Sequence, residues 1–139
     1  MTVSFVVPGP AVPERKRQFG RHRCDTREAA DYKTLLRYHA GIAMAGRPPL
    51  EGPLALTLTV VRVRPKSLPK RVTYPITRPD LSNQLKLVED AFNKVLWGDD
   101  AQLVEILVTK GFGDAEGIGV TVEIIGAPAP EEDHDAHDH

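Results

Sequence analysis

Residues 78–104 read RPDLSNQLKLVEDAFNKVLWGDDAQLV, and the organisation of the chain turns on this stretch. At 100° per residue, Leu81, Leu85, Val88, Phe92 and Val95 fall within an arc of about 80°, which predicts an amphipathic helix over residues 81–96. Asn83, Lys86 and Asp90 fall together on another face of that helix. Asp80 stands just before it and Gly98 ends it. Residues 103–109 then read as a strand, and the glycines at 111, 113, 117 and 119 mark a turn into a further strand over 119–125.

Upstream of the quoted stretch, residues 54–63 alternate with period two. Leu54, Leu56, Leu58 and Val60 lie on one side, and Thr57, Thr59 and Val61 on the other, the pattern of a strand with one face buried. Before it, a helix is predicted over residues 27–44, with Asp25–Glu28 at capping-box spacing and Thr26 as the alternative cap. Its apolar side is read as Ala30, Leu35, Tyr38 and Ile42, and Gly46 with Pro48-Pro49 stops it. Residues 3–7 read as the first strand, halted by Pro8-Gly9-Pro10. The closely joined last two strands suggest an antiparallel hairpin. The order β-α-β-α-β-β gives an α/β fold of the α+β kind: a small two-layer domain of about four strands and two helices.

A chain of 139 residues suits one domain. The expected division is a folded unit over residues 1–126 and a disordered Asp- and His-rich tail over 127–139. One cysteine, Cys24, excludes an internal disulfide and suits a reducing compartment. The first residues lack a basic leader, and no window approaches 18 apolar residues, so neither a signal peptide nor a membrane span is expected and a cytoplasmic location is.

The formal net charge of −1 conceals a split. Residues 1–79 hold 15 Lys or Arg against 5 Asp or Glu, and residues 80–139 hold 3 against 14. Two proline-rich or basic loops carry much of the positive charge. Residues 11–25 include Arg15, Lys16, Arg17, Arg21 and Arg23; residues 65–79 include Lys66, Lys70, Arg71 and Arg78, and Arg62 and Arg64 continue the strand before them. Cations for a phosphate backbone beside carboxylates for a metal ion are what a nuclease requires. Mutual neutralisation of two halves of a small domain is the alternative reading of the same split.

The carboxylates fall in two groups. Asp80 can cap the helix or offer oxygen to a cation; Mg²⁺ takes oxygen ligands and needs only one or two carboxylates besides water and substrate. Asp99 and Asp100 follow the helix, where paired acids also commonly mark a turn. The helix rises about 15 Å between Asn83 and Asn93, and the seven residues from Asn93 to Asp100 span at most roughly 23 Å. The chain can therefore double back towards Asp80, or a partner subunit can supply the second carboxylate. Lys86 suits a phosphoryl oxygen, or pairs with Asp90 one turn on. Glu89 and Asp90 are additional acids.

With Arg78-Pro79-Asp80-Leu81-Ser82-Asn83, Lys86, Asp90-Ala91-Phe92-Asn93 and Val95-Leu96-Trp97-Gly98-Asp99-Asp100-Ala101-Gln102-Leu103-Val104 in place, the chain resembles the RusA family of Holliday junction resolvases. The early basic loop, the helix after Thr26 and Lys110 share in the resemblance. It implies a homodimer that cuts four-way DNA junctions in pairs, with Mg²⁺ (Mn²⁺ as the alternative) as cofactor and branched DNA as partner. Asp80 and Asp100 match two of the family's three catalytic aspartates, and Lys86 matches its lysine. The third aspartate falls at position 82, where this chain has serine, a weak neutral donor. Three outcomes stay open: Ser82 orients a metal-bound water, Glu89 or Asp90 substitutes as the acid, or the chain binds junctions with weakened cutting. A flap or single-strand nuclease is the neighbouring activity.

Overall fold

The computed structural model describes residues 1–128. Eight main elements follow in chain order: β1 (Thr2–Pro8), β2 (Lys16–Phe19), β3 (His22–Asp25), α1 (Arg27–Met44), β4 (Leu54–Val63), α2 (Leu81–Phe92), β5 (Leu103–Gly113) and β6 (Gly117–Ile124). A 3₁₀ turn, Asp100–Gln102, leads into β5. The main sheet has the order β1-β6-β4-β5, and β2 with β3 forms a separate hairpin. Two helices on a four-stranded sheet make the expected α+β domain. The predicted tail lies largely outside the described residues.

β4 folds as its alternation requires. Leu54, Leu56, Leu58 and Val60 are buried, while the residues between them are only half-buried. The opposing layer of the core includes Leu36, Leu87, Val88, Phe92 and Trp97. Phe92 meets Phe5 and Trp97 edge-on, with ring centroids 5.7 and 6.1 Å away. Edge-to-face geometry brings the positive rim of one ring to the negative face of the next.

The last two strands depart from the expected hairpin. β6 pairs antiparallel with β1 and β4, whereas β5 pairs with β4 in parallel. β4 therefore lies between two strands that are consecutive in sequence. The short connection passes over the end of β4, where a Cβ on Gly113 would stand 2.6 Å from Val61 Cγ1. Glu116 in that connection accepts from the Val63 amide at 3.4 Å and pairs with Arg62 at 3.1 Å, closing over the strand end. Parallel neighbours need a long crossover. Residues 64–102 provide it, and α2 is thereby laid across the sheet.

α1 has the predicted bounds, capped by Thr26, whose side chain accepts from the Ala29 amide at 3.3 Å. Its buried side is not the predicted one. Ala29, Tyr32, Lys33, Leu36, Ala40 and Met44 face inward, while Leu35, Tyr38 and Ile42 are exposed, as is Ala30. Small alanines let the helix approach its neighbours closely, and an ion-paired lysine occupies a place that hydrophobicity alone would refuse. α2 ends at Phe92, four residues before the expected Leu96. Lys94 adopts φ 71°, and its amide donates to the Trp97 carbonyl at 2.7 Å, folding the chain back at once.

Candidate active site

Asp80 is the N-cap residue of α2, with extended backbone, but its side chain makes no capping bond. Its carboxylate is exposed and uncommitted, so the capping role open to it in the sequence is not taken up. The segment entering the helix is fastened from the sheet instead. Lys110 on β5 donates to the carbonyls of Thr77 at 2.7 Å and Pro79 at 3.1 Å. Ile76, Thr77, Arg78, Asp80 and Lys110 line one open depression. Ser82, in the first turn, and Lys86, one turn on, are both exposed.

A second depression lies further along the same helix. Glu14, Lys16, Lys86, Glu89, Asp90 and Asp100 line it. Asp100 is held by the buried Trp97, whose indole Nε1 donates to Asp100 Oδ1 at 2.6 Å. Burial, and then the negative charge of Asp100, push the Glu89 carboxyl above its ordinary value. Two carboxylates that repel at close quarters favour a proton or a cation between them. Asp99 is occupied differently: it accepts from the Ala101 amide at 2.9 Å and forms a capping box with Gln102. Gln102 also donates to the Leu50 and Gly52 carbonyls at 2.9 and 3.1 Å. Asp99 thus sets the turn that presents Asp100.

Within the chain, then, Asp80 and Asp100 line different depressions. Nine residues of helix separate Asp80 from Glu89, roughly 13 Å along the axis. Among the described residues, no group of three or more His, Cys, Asp or Glu side chains is arranged to hold a metal ion.

The floor of the second depression is an ion network that sequence patterning missed. Lys33, on α1, has a side chain only 2% exposed. Its ammonium lies 2.5 Å from Asp90, 2.9 Å from Asp25 and 3.3 Å from Glu14. Burial alone would lower its pKa, but the Asp90 and Asp25 hydrogen bonds and the Glu14 charge hold it above the usual lysine range. Asp25 is pulled down to about 2, chiefly by its bond from Lys16 at 2.5 Å. Asp90 therefore pairs with Lys33, not with Lys86 as helical spacing suggested. Asn83 adds a neutral clasp: its Oδ1 accepts from the Glu14 amide at 2.6 Å and its Nδ2 donates to the Glu14 carbonyl at 3.1 Å. A sequence signal existed, since Lys33 sits at helical spacing within Ala29, Leu36 and Ala40.

The basic loop at 11–25 is not shapeless. Its residues 16–25 form the β2–β3 hairpin, which carries exposed Arg17, Arg21 and Arg23 beside exposed Arg15. Lys16 is turned towards Glu14 and Asp25. In the second basic segment, Arg64 is spent on the loop itself. Its guanidinium donates to the carbonyls of Leu68, Pro69 and Val72 and lies 5.3 Å from the Phe112 ring centroid. Lys66, Lys70, Arg71 and Arg78 are exposed, and no ion pair among the described residues involves them.

Exposed carboxylates flanked by two cationic segments suit hydrolysis of a phosphate ester. A family model described as endodeoxyribonuclease RusA matches residues 7–124. The chain belongs to the RusA family. The match takes in both depressions, the β2–β3 hairpin, and the strands from the end of β1 to the end of β6. A relative in Bacillus subtilis (strain 168), the uncharacterized protein YqaN, is 30% identical over 139 residues, covering 90% of this chain and 98% of the relative. RusA membership carries a nuclease function in general. Among the described residues, no helix is long and apolar enough to cross a membrane.

Proposed function

We propose that this RusA-family chain is a Mg²⁺-dependent, structure-selective endodeoxyribonuclease that acts as a homodimer on four-way junctions by paired phosphodiester hydrolysis. The observation that carries the reading is Asp80, an exposed carboxylate at a helix start, released from capping and lining one depression with Lys110 and Arg78. The donor chemistry fits a hard divalent cation. Asp80 and Asp100 supply carboxylate oxygens and Ser82 a hydroxyl, while Glu89 is a further acid lining the depression of Asp100. Asp90 and Asp99 already have partners. When bound, Mg²⁺ or Mn²⁺ supplies Lewis acidity and a more acidic water.

The chain's own groups do the rest. Lys86 offers a cation to the phosphoryl oxygens. The hairpin arginines and Lys66, Lys70, Arg71 and Arg78 engage backbone phosphates, which position a duplex without reading its sequence. A two-fold dimer presents two such centres to opposed strands. Asp80 and Asp100 line different depressions of one chain, so the centre is completed either within one chain or across the dimer. Mixing Asp80→Asn with Asp100→Asn chains tests that directly: regained cutting supports assembly across subunits, and persistent silence places each centre within one chain.

The reading itself is tested with a synthetic four-way junction, a flap and a plain duplex, in Mg²⁺ and then in EDTA. Paired nicks confined to the junction, abolished by EDTA, are expected. Equal cutting of all three removes junction selectivity, and cutting only at the flap assigns the neighbouring activity. Ser82, exposed where the family has an aspartate, favours one second reading: a chain that binds junctions but cuts them weakly. Junction binding without cutting in Mg²⁺ would establish it.

A further inference from the structure

The loop between β4 and α2 builds a small apolar cup. Leu68, Val72, Tyr74, Pro75, Ile76 and Phe112 line it, around a cavity of about 110 Å³. It is shaped from within, because the Arg64 guanidinium gathers three loop carbonyls while covering Phe112. Its rim leaves large apolar side chains in water: Tyr74 is 67% exposed and Ile76 is 90% exposed. Exposed Lys66, Lys70, Arg71 and Arg78 stand on the same segment. Ile76 and Thr77 are shared by the cup and the depression holding Asp80.

These features select one kind of occupant. A cofactor or drug-sized molecule needs roughly 300 Å³ or more, well above this cavity. An uncharged peptide would leave the four exposed cations of this segment without partners. A single flat ring tethered to a phosphate chain satisfies both the apolar lining and the charge around it. Base faces stack on aromatic side chains whatever the base, and backbone cations track the strand that carries it. In an intact duplex a base is committed to its neighbours, whereas next to a branch it can leave the stack at lower cost.

We propose that the cup receives one unstacked nucleobase of the strand whose phosphate lies beside Asp80. This deepens the junction-nuclease reading and rests on it, since it gives that centre a physical means of preferring distorted DNA over duplex. Tyr74 and Ile76 hold the base, and Arg78 and Lys110 mark the route from the cup to the Asp80 carboxylate.

The test is an abasic scan across the nucleotides flanking the branch of a synthetic four-way junction, with affinity measured in EDTA so that nothing is cut. The full chain is compared with Tyr74→Ala and Ile76→Ser, both surface changes whose unchanged melting temperature verifies folding. The unaltered chain should lose roughly tenfold in affinity at one symmetry-related nucleotide beside the branch, the scale of a single stacked base. In the variants that position-specific loss should disappear, although they bind the intact junction more weakly. Equal loss at every position, loss at none, or the same profile in chain and variants would overturn the cup while leaving junction binding intact. Failure of the unaltered chain to bind the junction at all would overturn the nucleic-acid reading and the cup with it.

Discussion

The two ends of α2 are built on opposite plans. At its start, Asp80 and Ser82 face solvent, and the Asp80 carboxylate has no capping bond to hold it. Two to three turns on, every acid but Glu89 has a fixed hydrogen-bond or ion-pair partner: Asp90 on buried Lys33, Asp99 on its own turn, and Asp100 on Trp97. The contrast separates Asp80, left open for a ligand, from the Lys33 network and the Asp99 turn that hold a frame, with Asp100 presented to the depression by that frame. Removing an acid at the start should disturb chemistry without disturbing the fold, and cutting the network at the far end should do the reverse.

The largest effect is expected at the open end. Asp80→Asn should lower junction cutting by about a hundredfold or more, the scale of losing one electrostatic contact to a reacting centre. Its stability should stay within roughly 0.5 kcal/mol of the parent, as for other exposed substitutions. Single-turnover nicking and a urea melt read the two quantities. A large stability loss would show that Asp80 is part of the frame after all.

Lys33→Met reverses the pattern. It leaves Glu14, Asp25 and Asp90 facing one another without their cation, and breaking a buried pair in this way costs about 3 kcal/mol. The β2–β3 hairpin should loosen first, because its residues are almost entirely exposed and the Asp25–Lys33 ion pair docks it on α1. Urea unfolding with hydrogen exchange at residues 16–25 checks this. Unchanged protection there would mean that the hairpin is held by something other than Lys33.

Ser82→Asp sharpens the contrast by restoring a charge at the open end. Cutting should rise about tenfold if serine is a weakened ligand position; a fall would show that the extra charge only repels substrate phosphate. The smallest effect concerns acid stability. Asp25 titrates at about 2 against an ordinary 3.8, so its contribution is present above pH 4 and is lost as pH falls towards 2. Asp25→Asn should flatten stability over that interval, and acid titration of the two melts would reveal no difference if the ion pairs are immaterial.

How far the sequence spoke for itself follows the same division. Periodicity located β4 and α1 to the residue, since long alternating or helical runs bury one side wherever they lie. It failed for β2–β3, whose residues carry no apolar alternation and are ordered by ion pairs from distant positions. It placed the wrong face of α1 inward, because Leu35, Tyr38 and Ile42 outrank in hydrophobicity the alanines that allow close approach. The nearness of β5 and β6 in sequence suggested a hairpin, but the insertion of β4 between them is a tertiary fact, marked locally by Gly113 and Glu116. At the site, residue types and their order along α2 were legible. Their division into two depressions was not, since that depends on where the turn at Asp99 leaves Asp100.

On the proposed function, the carboxylates of Asp80 and Asp100 hold a divalent cation. Anomalous diffraction from crystals of the full chain soaked in Mn²⁺ tests it most directly. A peak is expected within coordination distance of both carboxylates, drawn from one chain or from two across a dimer axis. Mn²⁺ bound elsewhere, with Asp80 and Asp100 both free of it, would rule out a metal centre on these two carboxylates.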